Sequence, residues 1–95
     1  MAYKTTLRAD EDIVQIYAQG VAKFGAAQAD AYFQGLFETF EILAGNPHLT
    51  RERPEFRPPV RIHPYGSHVI VYVIEGADVL IIRVLYGGQD WERHL

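Results

Sequence analysis

The stretch SHVIVYVIEGADVLIIRVLY, residues 67–86, decides the fold. It holds two runs dense in Val, Ile, Leu and Tyr, split by Gly76-Ala77, and reads as two strands joined by a tight turn. Ser67 to Glu75 is the first strand and Val79 to Tyr86 the second. A strand with one dry face alternates apolar with polar side chains, and these two do not. Val69, Val71 and Val73 point one way, while Ile70, Tyr72 and Ile74 point the other. In the second strand Leu80, Ile82 and Val84 oppose Val79, Ile81 and Leu85, with Arg83 interrupting that latter set. Both faces of the sheet are therefore expected to be apolar.

Working outward, Val60-Arg61-Ile62-His63 reads as a preceding strand that enters a turn at Pro64-Tyr65-Gly66, where Pro presets φ and Gly accepts a positive one. Gly87-Gly88 breaks the last strand, and Gln89 to Leu95 form a short, partly helical tail. At the other end Tyr3 to Arg8 alternate as a short strand. Asp10, Glu11 and Asp12 then cluster where a helix begins, and carboxylates favour the positive end of the helix dipole. Ile13, Ile16, Tyr17, Gly20, Val21 and Phe24 trace one face of a helix over about 10–24, with Gly20 implying a close neighbour. Ala29, Phe33, Leu36, Phe37, Phe40, Leu43 and Ala44 trace a second over about 26–44, stopped by Gly45 and Pro47. Joined at Gly25, the two can only form an antiparallel hairpin. The aromatic stripe Phe33, Phe37 and Phe40 reads as core. Residues 46–59 form a proline-rich connector. No internal repeat or low-complexity segment interrupts residues 1–95, which read as one α+β domain: strand, helical hairpin, then an antiparallel three-stranded meander.

That organisation leaves a surplus. One helical hairpin shelters one face of a sheet, and the other would expose more apolar surface than a monomer ordinarily carries. A partner polypeptide is the expected cover, as an amphipathic helix or an added strand. The alternative cover is the tail, folding Trp91 and Leu95 back over the patch.

Composition narrows the function. Nine Lys and Arg against twelve Asp and Glu give a net charge of −3, whereas a protein that grips a phosphate backbone shows a basic excess. Direct, specific nucleic-acid binding is not expected. Arg51, Arg53, Arg57 and Arg61 are diluted by Glu52 and Glu55, as in a solvated connector or a contact patch. There is no cysteine, so neither a disulfide framework nor a thiolate metal site is available. No apolar run approaches a membrane span and the N-terminus lacks a signal-peptide core, so the expected location is the cytoplasm. His63, His68, Tyr65, Tyr86, Arg61 and Arg83 are the raw material for ribonuclease chemistry, which needs a base, an acid and cations for the phosphorane. Ser67 lacks a nucleophile-elbow pattern, no glycine-rich phosphate loop opens either helix, and no metal-ligand spacing is present. No catalytic residue, metal or cofactor is expected.

Several segments, in order, resemble the ParE branch of the RelE-like toxins. Asp12 to Tyr17, Phe24-Gly25 and Ala29 to Tyr32 are similar to the family's helical hairpin. Leu36 to Phe40 with Asn46-Pro47 is similar to its stop, and His68 to Tyr72 to its central strand. Ile82 to Leu85 with Gln89-Asp90-Trp91 is similar to its last strand and tail. The resemblance implies the toxin of a type II toxin–antitoxin module. Such a toxin is neutralised by a ribbon-helix-helix, ParD-like antitoxin in a hetero-oligomer, and poisons DNA gyrase by binding rather than catalysis. Within such a toxin the Arg-bearing face of the last strand with Arg61 supplies the candidates for the antitoxin contact, Arg61, Val79, Ile81, Arg83, Leu85 and Tyr86, and the polar tail those for the target, Gln89, Asp90, Trp91 and Arg93. A RelE-type endoribonuclease and a degenerate, non-toxic antitoxin binder are the alternatives. One position departs from the family pattern of His-Gly-Arg after the last strand: here it is Tyr86-Gly87-Gly88.

Overall fold

In the computed structural model, which describes residues 2–88 and 90–95, the chain leaves its first strand early. Strand β1 spans only Tyr3–Thr5, because Thr6 caps the first helix instead of extending the strand. Its hydroxyl accepts the Ala9 N–H at 3.0 Å, satisfying a donor that the helix itself leaves orphaned. Helix α1 accordingly runs Leu7–Phe24, starting three residues before the acidic cluster. Gly25, at φ 87°, turns the chain directly into α2, Ala26–Gly45. Gly20 does lie against a neighbouring helix: a Cβ there would meet Ala29 Cβ at 3.4 Å. The expected burial of Val21 and Phe24 fails, at 37% and 62% exposed. Only Ala9, Ile13 and Ile16 of α1 join the main core, so its last turns touch α2 without overlying the sheet's apolar centre.

Five strands form one mixed sheet, ordered β1-β5-β4-β3-β2. β2 is a two-residue strand, Glu52–Arg53, hidden in the connector; β3 is Val60–Tyr65, β4 His68–Glu75 and β5 Asp78–Tyr86. The antiparallel meander is as expected, while β1 adds to β5 in parallel. Pro64 and Tyr65 stay within β3, and the turn itself is Gly66-Ser67, with Gly66 at φ 54°.

The hairpin packs on one face. Leu36, Phe40 and Leu43 of α2 meet Ile70, Tyr72, Val79, Ile81 and Val84 in a fully buried core. Of the aromatic stripe Phe40 is fully buried, while Phe37 and Phe33 pack half-buried against the core: Phe40 meets Tyr3 and Phe37 edge-on at 5.3 and 5.5 Å, and Phe33 meets Phe37 at 4.7 Å. Burying one Ile or Leu side chain here contributes about 1.5–3 kcal/mol.

One alternation differs from expectation. The register slips between Val71 and Tyr72, whose partners are Arg83 and Ile81, so Ile82 is an extra residue in β5. That bulge swaps the phase of the strand's far end. Val84 therefore joins Val79 and Ile81 on the helix face, and Leu85 moves to the outer face.

The outer face is not bare. Val60, Val71 and Leu85 are buried beneath Phe56 of the connector and Trp91 of the tail, whose rings lie 6.0 Å apart. Trp91 sits in a 3-10 turn, Trp91–His94, and Leu95 remains 41% exposed, so the tail covers the patch through one side chain. Ile62, Val69, Val73 and Ile82 are left half-buried. The chain thus supplies part of the cover assigned to a partner, and Phe56 contributes from a connector that carries no periodic pattern. Among the described residues no helix is long and apolar enough to cross a membrane.

Candidate functional site

The two ends of β5 have different edges. Tyr3–Thr5 pair with Val79–Ile81, and β1 stops there. Beyond that point the edge is met by α1 and its cap. Thr6 donates its N–H to the Ile81 carbonyl at 3.0 Å and its hydroxyl to the Ile82 carbonyl at 2.9 Å. Asp12 accepts the Val84 N–H at 3.0 Å. Gly87 directs its N–H inward to the Ser67 carbonyl at 2.8 Å, so neighbouring Tyr86 turns its own N–H and C=O outward. No protein partner meets those two groups among the described residues.

Asp12 also holds Arg83. The carboxylate takes both arms of the guanidinium, at 2.8 and 3.0 Å, and the two side chains are 13% and 14% exposed. The hydrogen bonds that Arg83 donates to Asp12 raise the Arg83 pKa, outweighing the opposing effect of burial. A third arm of Arg83 reaches the His94 carbonyl at 3.2 Å, so one cation ties α1, β5 and the tail together. The acidic cluster is therefore divided in function. Asp10 lies in the first turn and accepts the Thr5 hydroxyl at 2.5 Å, whereas Asp12 is the anchor of the strand edge.

A second group of polar contacts fixes the β3–β4 turn. Tyr32 of α2 donates its hydroxyl to the Tyr65 carbonyl at 3.1 Å and accepts the Ser67 N–H at 3.1 Å. Tyr65 returns the contact, donating to the Tyr32 carbonyl at 2.7 Å. Gly35 and Gly66 make room, since a Cβ at either would collide with one of these phenols. His68 Nδ1 lies 2.6 Å from the Tyr32 hydroxyl, and the ring sits edge-on between Tyr32 and Tyr86, at 5.6 and 5.9 Å. Burial lowers the His68 pKa below its usual value and raises that of Tyr32.

Two clefts of about 560 and 350 Å³ run along this edge and share Ile16, Gln19, Lys23, His68 and Tyr86. The first is walled by the Asp12–Arg83 pair, Trp91 and His94. The second is greasier, lined by Phe24, Phe33 and Leu36. Together they form a groove, polar along the first cleft and apolar along the second, with the unmet main chain of Tyr86 and a few fixed polar groups, the layout of a peptide seat.

The structure scatters the residues picked from sequence. Arg83, Leu85 and Tyr86 line the groove, and Tyr86 is 52% exposed. Val79 and Ile81 are 1% and 0% exposed beneath the helices, so neither presents a surface. Arg61 lies on β3, across β4 from Arg83, and donates to the Thr50 carbonyl. There it works with Tyr72, which donates to the Pro47 carbonyl at 3.0 Å, to pin the connector. Of the residues assigned to a target, Gln89 lies outside the described residues. Asp90 is paired with Arg93 at 2.8 Å on the surface, and Trp91 is half-buried against Phe56. Sequence reasoning missed Asp12, Tyr32 and Lys23 as groove residues. Asp12 and Arg83 are 71 positions apart, and nothing in either local pattern points to the other. Among the described residues no group of three or more His, Asp or Glu is placed to hold a metal ion.

A capped helical hairpin on one face of a β-meander, with an open strand edge beside its first helix, defines a small α+β protein of the RelE-like toxin fold. The model of the ParE toxin of type II toxin–antitoxin systems (parDE) matches residues 3–91, and the chain belongs to that family. Toxin ParE1 of Caulobacter vibrioides is 32% identical over 93 residues, 98% of this chain and 96% of that one. Toxin ParE3 of the same organism is 28% identical over 79 residues, 83% of this chain and 79% of that one. A solved structure described as the chromosomal ParDE TA system from P. aeruginosa shares the fold at a TM-score of 0.78. It is 24% identical, with 90% of this chain and 95% of that one covered.

Proposed function

We propose that this chain is the toxin of a two-component module, held inactive by a ribbon-helix-helix, ParD-like antitoxin. Its C-terminal segment would lie in the groove between α1 and the open edge of β5. The single observation that carries this is the unmet Tyr86 main chain beside the apolar cleft, in a member of a family defined by such modules. An added segment satisfies that edge and covers the exposed Phe24 and Tyr86 rings. Released from the antitoxin, the chain acts on DNA gyrase by binding and not by chemistry of its own, in the cytoplasm. The domain is the whole of residues 1–95.

The test is direct. Purified chain added to gyrase should block supercoiling and raise cleaved DNA, and equimolar antitoxin should reverse both. Ribosome-bound mRNA cut by the chain, with gyrase untouched, would move it to the endoribonuclease branch.

Gly88 favours a weakened version of the same activity. The resemblance implies Arg at that place, and here a Cβ would meet the Tyr86 ring at 2.7 Å, so Tyr86 occupies the room a side chain needs. Gly88→Arg, with the Tyr86 ring swung aside, should strengthen growth inhibition while leaving antitoxin binding in place.

A further inference from the structure

We infer that the free ring nitrogen of His68, Nε2, is a fixed hydrogen-bond acceptor that selects an N–H or O–H donor on the segment seated in the groove. The inference rests on the toxin–antitoxin reading and goes beyond it, because it names one residue and the chemistry it recognises.

The argument is a count of protons around Tyr32. Its hydroxyl has one proton to give and two lone pairs to fill. Three groups surround it: the Tyr65 carbonyl at 3.1 Å, the Ser67 N–H at 3.1 Å and His68 Nδ1 at 2.6 Å. With all three contacts made as hydrogen bonds, the carbonyl, which can only accept, takes the single Tyr32 proton. The Ser67 N–H can only donate. The third contact is complete only if Nδ1 carries a hydrogen and donates as well. The neutral ring then has its proton on Nδ1 and a bare lone pair on Nε2. Edge-on contacts with Tyr32 and Tyr86 fix the plane of the ring, at the point where the two clefts merge. Nε2 has no protein partner among the described residues, and it is not among the buried, unpaired atoms.

The surroundings keep this nitrogen an acceptor. From α1 the ring faces Lys23 and, further along, Asp12; from α2, Tyr32; from β3, its cross-strand partner Tyr65; from β5, Tyr86 and Arg83; from the tail, His94. Asp12 is committed to Arg83, so no unpaired carboxylate within the groove stands ready to hold a second proton on the ring. Burial favours the neutral form. A hydroxyl, an amide or a main-chain N–H of the partner therefore fits against Nε2, whereas a carboxylate does not.

The consequence is a binding affinity that depends on pH with a definite sign. Protonation turns Nε2 into a donor, so the partner's donor loses its acceptor. The test uses the full chain and the full-length antitoxin encoded beside it, with affinities measured at about pH 7.5 and about pH 5.5. The dissociation constant of the unaltered pair should rise by about tenfold for each pH unit below the titration of free His68. His68→Gln, which keeps an acceptor and cannot titrate, should bind with a flat profile. Nitrogen shifts of the unaltered free chain should show the hydrogen on Nδ1, a readout that needs neither partner nor variant. Hydrogen on Nε2, an affinity that rises on acidification, or the same slope in His68→Gln would each overturn the inference. Failure of the antitoxin to bind at the higher pH is a different result, and would remove the toxin–antitoxin reading itself.

Discussion

The two halves of β5 are built for different ends. From Val79 to Ile81 the strand is paired on both edges, with β1 on one side and β4 on the other, and Val79 and Ile81 are sealed beneath the helices. From Arg83 to Tyr86 it is paired only with β4, and the other edge passes from a hydroxyl cap at Ile82 to a carboxylate cap and then, among the described residues, to no protein partner. An unpaired edge invites another chain, and a short one capped by polar side chains limits what can dock there. The contrast separates residues that hold the fold from residues free to meet a partner. The bulge at Ile82 marks the border between them.

The sharpest way to break this comparison is in the sealed half. Ile81→Ala should cost about 2–5 kcal/mol in denaturant unfolding, from lost transfer energy and the cavity left behind. It should not change antitoxin affinity in the fraction that stays folded. A loss of affinity with stability unchanged would place Ile81 at a surface, as its sequence neighbourhood suggested, and would contradict its burial.

Next in size is the Asp12–Arg83 pair, which bridges the two halves. Asp12→Ala leaves a largely buried guanidinium and the Val84 N–H without their acceptor, at a cost of about 1–3 kcal/mol. With Arg83→Met added, the double variant should recover part of that loss, because removing both charges is milder than stranding one. Strict additivity in the double-mutant cycle would mean that the two side chains do not act together. The pair should also loosen the tail when broken, since Arg83 holds the His94 carbonyl, and amide exchange over residues 91–95 would register it.

These cases show what the sequence can and cannot reveal. The helices and the meander were legible because hydrophobic period and glycine punctuation are local signals. The two-faced apolar character of β4 and β5 was legible as well. The bulge was not, since one inserted residue leaves a run as uniform as VLIIRVLY looking unchanged while exchanging the faces of Val84 and Leu85. Nor was the cover on the outer face, where Phe56 comes from a connector with no periodicity to interpret. Of the groove, Arg83, Leu85 and Tyr86 were within reach because they sit on a recognisable strand. Asp12 and Tyr32 were not, because their partners are brought near only by the tertiary fold. Three carboxylates in a row at a helix start look alike until one of them is found holding an arginine.

The smallest effect on the fold, and the finest test of the contrast, lies at Tyr86. Its ring is 52% exposed, touches His68 edge-on at 5.9 Å and rests over Gly88, where no side chain competes for the space. Truncating it removes little that is buried, so Tyr86→Ala should change stability by about 0.5 kcal/mol or less. If the open edge is the antitoxin's seat, the same ring becomes a central aromatic contact once covered, and its loss should weaken the complex by about 2 kcal/mol or more. The two measurements must diverge for the comparison to stand. A variant that loses stability and affinity in step would show that the far half of β5 supports the fold as the near half does, with the partner seated elsewhere.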